Sequence, residues 1–312
     1  MSDMRQRLRR VVPPGLRPYL GALRRRIVYN PARVYLQRRR LLKSPALDAG
    51  QAELLGRVST RIHQRDGMYA GHGENYFRAG LSAIACVEEV LRHSEPARVR
   101  HILDLPSGFG RELRFFALRF PEATTTACDI QPEAVAFCAR EFGAVPTVSR
   151  PRLSEVSFDR KFDLIWCGSL VTHLDDASIH DLLKLFSKHL SADGIFIFTF
   201  HGDYVHAKMA AGGDTYELAA ESIPALVESY ERTGYAYQDY PRGLGYFEFH
   251  PEKSRYGISL TSPDWLRGLA KSIGGLREVY FRERGWADHQ DVLAFASSAA
   301  AARAKGFAAR PD

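Results

Sequence analysis

Two carboxylates and a pair of glycines are the residues of this chain whose types and spacing carry the most chemistry. Asp104 sits in a short apolar run, Ile102 to Leu105, that opens into Pro106, Ser107, Gly108, Phe109 and Gly110. A turn with two glycines lets backbone come within contact distance of a ligand that a side chain would push away. About 20 residues further on, a β-rich run from Thr124 to Ala127 ends in Cys128, Asp129 and Ile130. A carboxylate at such a strand tip can accept both hydroxyls of a ribose. Three histidines add proton chemistry: His173 and His201 follow apolar strand-like runs and His289 precedes one. Imidazole titrates in the range a general base requires. His72 is a weaker candidate, in a turn-rich segment ahead of the first strand.

The position of the first acid discriminates between cofactors. A dinucleotide site needs G-x-G-x-x-G and a helix N-terminus aimed at a pyrophosphate, whereas here Pro106 replaces the first glycine and no third one follows. A carboxylate ahead of the turn repels phosphate and suits a cationic or amine-bearing ligand, which favours S-adenosylmethionine. The contacts expected for it are Asp104, Pro106, Ser107, Gly108 and Gly110 in the turn, Asp129 and Ile130 on the next strand, and Gly168 and Ser169 after the fourth.

These elements must be positioned by a sheet. Phe162 to Cys167 and Ile195 to Phe200 are apolar runs of the kind buried on both faces of a parallel sheet. Between the strands, Arg111–Phe120, Glu133–Phe142 and Asp176–Leu190 carry apolar residues at helical spacing, ending at Pro121 and Gly143 in the first two. Ala144 to Val148 supplies a third strand, and the alternation predicts a doubly wound α/β fold. Upstream, helices are predicted over 47–66 and from Tyr76 to Arg92. Some 60 residues after strand five break the pattern, with a helix expected over Tyr216–Thr233 and a run rich in tyrosine. Those rings suit sugars and aromatic substrates, or form the insert's own small core. The next core helix is Ser262–Ser272, and Leu276–Arg284 and His289–Ser297 close the chain as two strands.

Asp104-Leu-Pro-Ser-Gly-Phe-Gly110 and Asp129 resemble the first motif and the second acid of the class I (Rossmann-like) S-adenosylmethionine-dependent methyltransferases, over roughly residues 100 to 298. Pro106 departs from the glycine usual there. The resemblance implies a seven-stranded, mostly parallel sheet whose last two strands pair antiparallel at its edge. It also implies helices over the methionine end of the cofactor, where Tyr76 or Arg78 meets its carboxylate unless they are simply a packed ring and an exposed cation. The acid expected to hold the adenine amino group is unassigned between Glu155 and Asp159. Gly168-Ser-Leu-Val-Thr-His-Leu174, Tyr256-Gly-Ile-Ser-Leu-Thr-Ser-Pro263 and Glu283-Arg-Gly-Trp-Ala-Asp-His-Gln-Asp291 are similar to bacterial methyltransferases of polysaccharide and glycolipid pathways. The implied activity is O-methylation of a sugar hydroxyl by in-line displacement, with one of the three histidines as base. Alternatives are O- or N-methylation of a small natural product, RNA methylation, or a non-catalytic cofactor-binding protein.

Composition bounds the rest. The 312 residues, 45% hydrophobic, can bury a full core. No run approaches the roughly 18 apolar residues of a membrane span, and no signal-peptide pattern opens the chain, so a cytoplasmic protein is expected. Cys86, Cys128, Cys138 and Cys167 lie singly in apolar runs, without zinc or redox spacing. Tyr204 and Lys208 match a Y-x-x-x-K pair by chance, and His201, Asp203 and His206 make no ligand motif, so no metal is expected. The predicted organisation is a basic helical extension over 1–46, covering helices over 47–99, the catalytic domain over 100–298 with a substrate-side insert at 202–260, and a flexible tail over 299–312. Residues 1 to 43 hold 12 Arg and one Lys against Asp3 alone. Leu16, Leu20, Leu23 and Ile27 recur among those cations at helical spacing, a helix able to lie on anionic lipid, pack on a second subunit of a homo-oligomer, or meet nucleic acid.

Overall fold

A computed structural model of the chain describes residues 27–94, 98–241 and 255–297. The predicted basic helix around Leu16 to Leu23 and the tail beyond Ser297 lie outside the described residues. The chain divides into two compact units, residues 1–77 and 78–312.

In the first unit, α1 (Pro31–Leu41) starts where the Asn30 side chain accepts the Ala32 N–H and Pro31 takes a first-turn position that needs no amide donor. α2 (Ala49–Arg57) opens with a capping box between Asp48 and Gln51. It is shorter than the predicted 47–66. Val58 turns extended at φ −63° and ψ 139°, and its carbonyl accepts Arg38 Nη1 at 2.8 Å in place of a helical amide. Buried Asp66 organises the turn-rich segment, accepting the Met68 N–H at 3.0 Å and the Tyr76 hydroxyl at 2.7 Å. α3 (Gly73–Ser94) begins in this unit and continues into the next.

The second unit is built on β1 (His101–Asp104), β2 (Thr124–Asp129), β3 (Val145–Val148), β4 (Phe162–Cys167), β5 (Leu190–Phe200), β8 (Leu276–Trp286) and β9 (Gln290–Ser297). They form one sheet in the order β3-β2-β1-β4-β5-β9-β8. The first five are parallel, and β9 enters antiparallel to both β5 and β8. This is the expected doubly wound, seven-stranded, mostly parallel sheet with an antiparallel edge. Its linking helices are α4 (Leu113–Arg119), α5 (Pro132–Phe142) and α6 (Asp176–His189), with α9 (Pro263–Ile273) leading into β8. α5 stops at Gly143, whose φ of 70° closes the helix. α6 runs directly into β5, whose register against β4 shifts between Leu190 and Ile195, so Asp193 and Gly194 lie in an irregular stretch of the strand.

One face of the sheet packs Leu103, Ile165, Phe196, Phe198 and Phe295 against Ile179, Leu182, Leu183 and Phe186 of α6. Each such side chain contributes roughly 1.5–3 kcal/mol on burial, so the strand tips stand on a rigid base.

The insert differs from its prediction. Besides the helix, which starts only at Ile223 (α8, Ile223–Thr233), it holds α7 (Asp203–Ala210) and a separate antiparallel pair, β6 (Tyr235–Asp239) with β7 (Gly257–Thr261). Val205, Met209, Leu218, Leu226, Tyr230, Tyr240, Ile258 and Leu260 give it a core of its own. Several of the tyrosines are therefore packing residues.

Candidate active site

The carboxyl ends of β1 and β2 carry the glycine turn, and its hydrogen bonds come from close in sequence. Asp129 accepts the Gly108 N–H at 2.8 Å on one carboxylate oxygen and the Gln131 N–H at 2.9 Å on the other. The Ser107 N–H donates to the Cys128 carbonyl and the Gly110 N–H to that of Ser107, both at 2.9 Å. The two glycines serve different ends. Gly108, at φ 48°, has no atom within 4 Å of where a Cβ would stand, while at Gly110, at φ 76°, a Cβ would lie 2.5 Å from the Phe142 ring. Gly108 leaves open space beside the turn, and Gly110 lets α5 pack behind it. Arg114 was not legible as part of this site. Its side chain is 1% exposed and donates to the carbonyls of Gly110 at 2.8 Å and Phe109 at 3.3 Å, so a charge that would be costly to bury alone braces the turn from below.

Asp104 is fully buried, and neither carboxylate oxygen has a hydrogen-bond partner among the described residues. Burial, then the like charges of Glu112 and Asp129, push its carboxyl well above the usual range against the pull of Arg111. Burial also raises Asp129, opposed by the backbone amides of Gln131, Gly108 and Ile130. An unsatisfied buried carboxylate beside an open glycine fits a ligand that brings positive charge.

The other expected cofactor residues divide. Gly168 and Ser169 follow β4 directly, and Ser169 holds a φ of 61°, which an L side chain adopts only when its surroundings compel it. A closed polar ring does so. The Ser169 N–H donates to Thr199 Oγ1 at 2.8 Å, the Thr199 hydroxyl to Gln290 Oε1 at 2.6 Å, and Gln290 Nε2 back to Ser169 Oγ at 2.9 Å. Neither Thr199 nor Gln290 carried a sequence signal of its own. Tyr76 belongs to the 1–77 unit, where its hydroxyl is held by Asp66, and Arg78 is exposed.

The three histidines converge. His173 closes a short 3-10 turn after β4, and its Nδ1 lies 2.9 Å from the Gly257 carbonyl. A carbonyl can only accept, so Nδ1 carries the proton and Nε2 the free lone pair. The ring stacks on Tyr256 at 5.0 Å and leans against Tyr240 at 6.0 Å. Burial holds His173 below its ordinary pKa. His201, just past β5, is buried with its Nδ1 unpartnered among the described residues, and its ring lies 4.9 Å from Tyr216 and 5.7 Å from His289. Burial, then the charges of His173 and His289, keep it well below the imidazole range. His289 accepts or donates at 2.9 Å to the Tyr216 hydroxyl, and burial lowers it as well.

The insert's β7 fastens this group: Gly257 holds His173, the Ser259 hydroxyl donates to the Val171 carbonyl, and the Thr261 N–H donates to the His201 carbonyl at 2.9 Å. Gly202 is needed because a Cβ there would stand 2.0 Å from a carboxylate oxygen of Asp291. That buried acid accepts the Arg284 N–H at 2.8 Å inside the β8–β9 hairpin that bears His289, and in the sheet it pairs with Phe200, the residue before His201.

Residues 103–196 match a family profile described as a methyltransferase domain. No curated protein matches the chain. Among solved structures, similarity extends to an S-adenosylmethionine-bound amino pentose methyltransferase of calicheamicin biosynthesis from Micromonospora echinaspora. Identity there is 14% over 76% of this chain and 98% of that one, with a TM-score of 0.49. A 1,6-didemethyltoxoflavin-N1-methyltransferase from Burkholderia thailandensis is 16% identical over 82% of this chain and 92% of its own, at a TM-score of 0.46. DesVI from Streptomyces venezuelae is 13% identical over 74% and 95%, at 0.47.

Proposed function

We propose that this chain, an S-adenosylmethionine-dependent methyltransferase by its matched domain and its sheet order, O-methylates a hydroxyl of a sugar in a glycan or glycolipid. The cofactor supplies, when bound, a methyl group already activated on a sulfonium. Asp104 would face its positive charge, the Ser107–Gly110 turn and Ile130 would line it, Asp129 would take its ribose hydroxyls, and Gly168 and Ser169 would border it on the β4 side. Asp104's unpartnered oxygens and the open space at Gly108 support that assignment.

The observation that carries the acceptor half is His173, whose Nδ1 is committed to Gly257, leaving Nε2 basic beside two tyrosine rings. An alcohol must lose its proton as the new carbon–oxygen bond forms, and Nε2 is the atom to take it. Rings with apolar faces and hydroxyl edges suit a sugar, which presents both kinds of surface. Burial disfavours the charged forms of His201 and His289, which lie in ring contact with each other nearby.

The test is transfer of a labelled methyl group to extracted glycans. Wild-type protein should label them, and His173→Ala should lower kcat about 10²- to 10⁴-fold while S-adenosylmethionine binds as before. Labelling of RNA or of a small metabolite in place of glycan would overturn the acceptor. Turnover by His173→Ala close to that of wild type would remove the base.

A further inference from the structure

We propose that the outward face of α1 is a docking surface for an anionic lipid bilayer. The helix divides cleanly. Val34 and Leu41 are buried, and Gln37 and Arg38 are turned inward, donating at 2.8 Å to the carbonyls of Gly71 and Val58. The opposite face, at the same i, i+3, i+4 spacing, carries Ala32, Tyr35, Leu36, Arg39, Arg40 and, just beyond the helix end, Lys43, all of them exposed. Leu36 is 55% exposed and Tyr35 42%, and Ile27, just ahead of the helix, is 56%. One half of the face is thus apolar and the other cationic.

Charge and shape together select the occupant. No Asp or Glu occurs between Met4 and Leu47, and none of Arg39, Arg40 and Lys43 forms an ion pair with another described residue. Nothing on this stretch offsets attraction to a polyanion. A nucleic acid would satisfy the cations but would leave Leu36 and Ile27 as exposed as before. A second copy of the chain, paired about a two-fold axis, would bring like charges together. A bilayer surface meets both halves: aliphatic groups enter the acyl boundary, a tyrosine ring sits at headgroup depth, and the cations face anionic headgroups.

The 312-residue chain should sediment with vesicles of phosphatidylcholine mixed with phosphatidylglycerol, and less as salt rises, because each basic residue near the surface contributes about fivefold in partitioning. Replacing Arg39, Arg40 and Lys43 together by Gln should then weaken binding on the order of 100-fold, and Leu36→Asn should weaken it further. Both variants alter exposed side chains and should melt as wild type does, which separates lost docking from lost folding. Equal binding to phosphatidylcholine alone, or none to the mixed vesicles, would overturn the proposal. So would a triple variant that binds like wild type while Arg24, Arg25 and Arg26 replaced by Gln does not, or tight binding of a single-stranded RNA without vesicle binding. None of these readings involves methyl transfer, so each stands whatever the acceptor proves to be.

Discussion

The glycine turn and the histidine group stand at the same edge of one sheet but are built in opposite ways. The hydrogen bonds described at the turn join residues between Ser107 and Cys138, and its bracing arginine is four residues from Gly110. The histidine group draws on His173, His201, Tyr216, Tyr256, Gly257 and His289, held by a strand of the insert and by a ring that closes from β9. A locally closed site can be specified by a short motif. A site assembled across the chain needs the packed insert before its residues meet.

That contrast predicts separable effects. The largest is expected at Asp104→Asn, which removes the charge and keeps the shape. S-adenosylmethionine should bind roughly 30-fold or more weakly, the effect of about 2 kcal/mol for losing one partner of a buried charge contact. Thermal stability without ligand should not fall, because an unpartnered buried carboxylate stabilises nothing. Calorimetry and a melting curve measure the two. A variant that binds the cofactor normally would end the assignment of Asp104.

Gln290→Leu should act on the other half. Opening the ring frees Ser169 and leaves Thr199 without its acceptor, a cost of about 1–3 kcal/mol that should appear as roughly a tenfold loss in kcat/KM for the acceptor. S-adenosylmethionine affinity should fall by less than this, because Ser169 is the one member of the ring assigned to the cofactor. If both parameters fell together, the two halves would be one cooperative site and the comparison would fail.

The smallest effect, and the sharpest, is on pH. Asp104 is raised, so it is protonated at pH values where an ordinary carboxyl is ionised. Affinity for a cationic cofactor should therefore rise with pH through its displaced pKa, with a proton released on binding. His173 is lowered, so it stays neutral and basic as pH falls below the usual imidazole value of about 6.5. The acid limb of kcat should lie beneath that value. A kcat limb at or above it would identify a different base.

Legibility followed the same division. Asp104, Gly108, Gly110 and Asp129 stood out because a strand, a tight turn and a second strand tip impose residue types at short fixed spacings, and the doubly wound parallel sheet followed from the alternation of apolar runs. Arg114 was hidden because a cation at helical spacing looks like a solvated one, and only the packing of α4 turns it under the turn. Gln290 and Thr199 were hidden because each reads as an ordinary strand residue. β7 was missed because Gly257–Thr261 is only five residues long and buried throughout, so it shows no alternation.

The amino-acid sequence by itself determined the parallel strands and the glycine turn at their edge, since these depend on neighbours along the chain. Only the tertiary structure decided which histidine nitrogen is free, which tyrosines face the histidines and which fill a core, and why Ser169 keeps its unfavourable backbone angle. Those outcomes depend on contacts between residues up to 121 positions apart, and no local pattern encodes a contact that exists only after the chain has closed on itself.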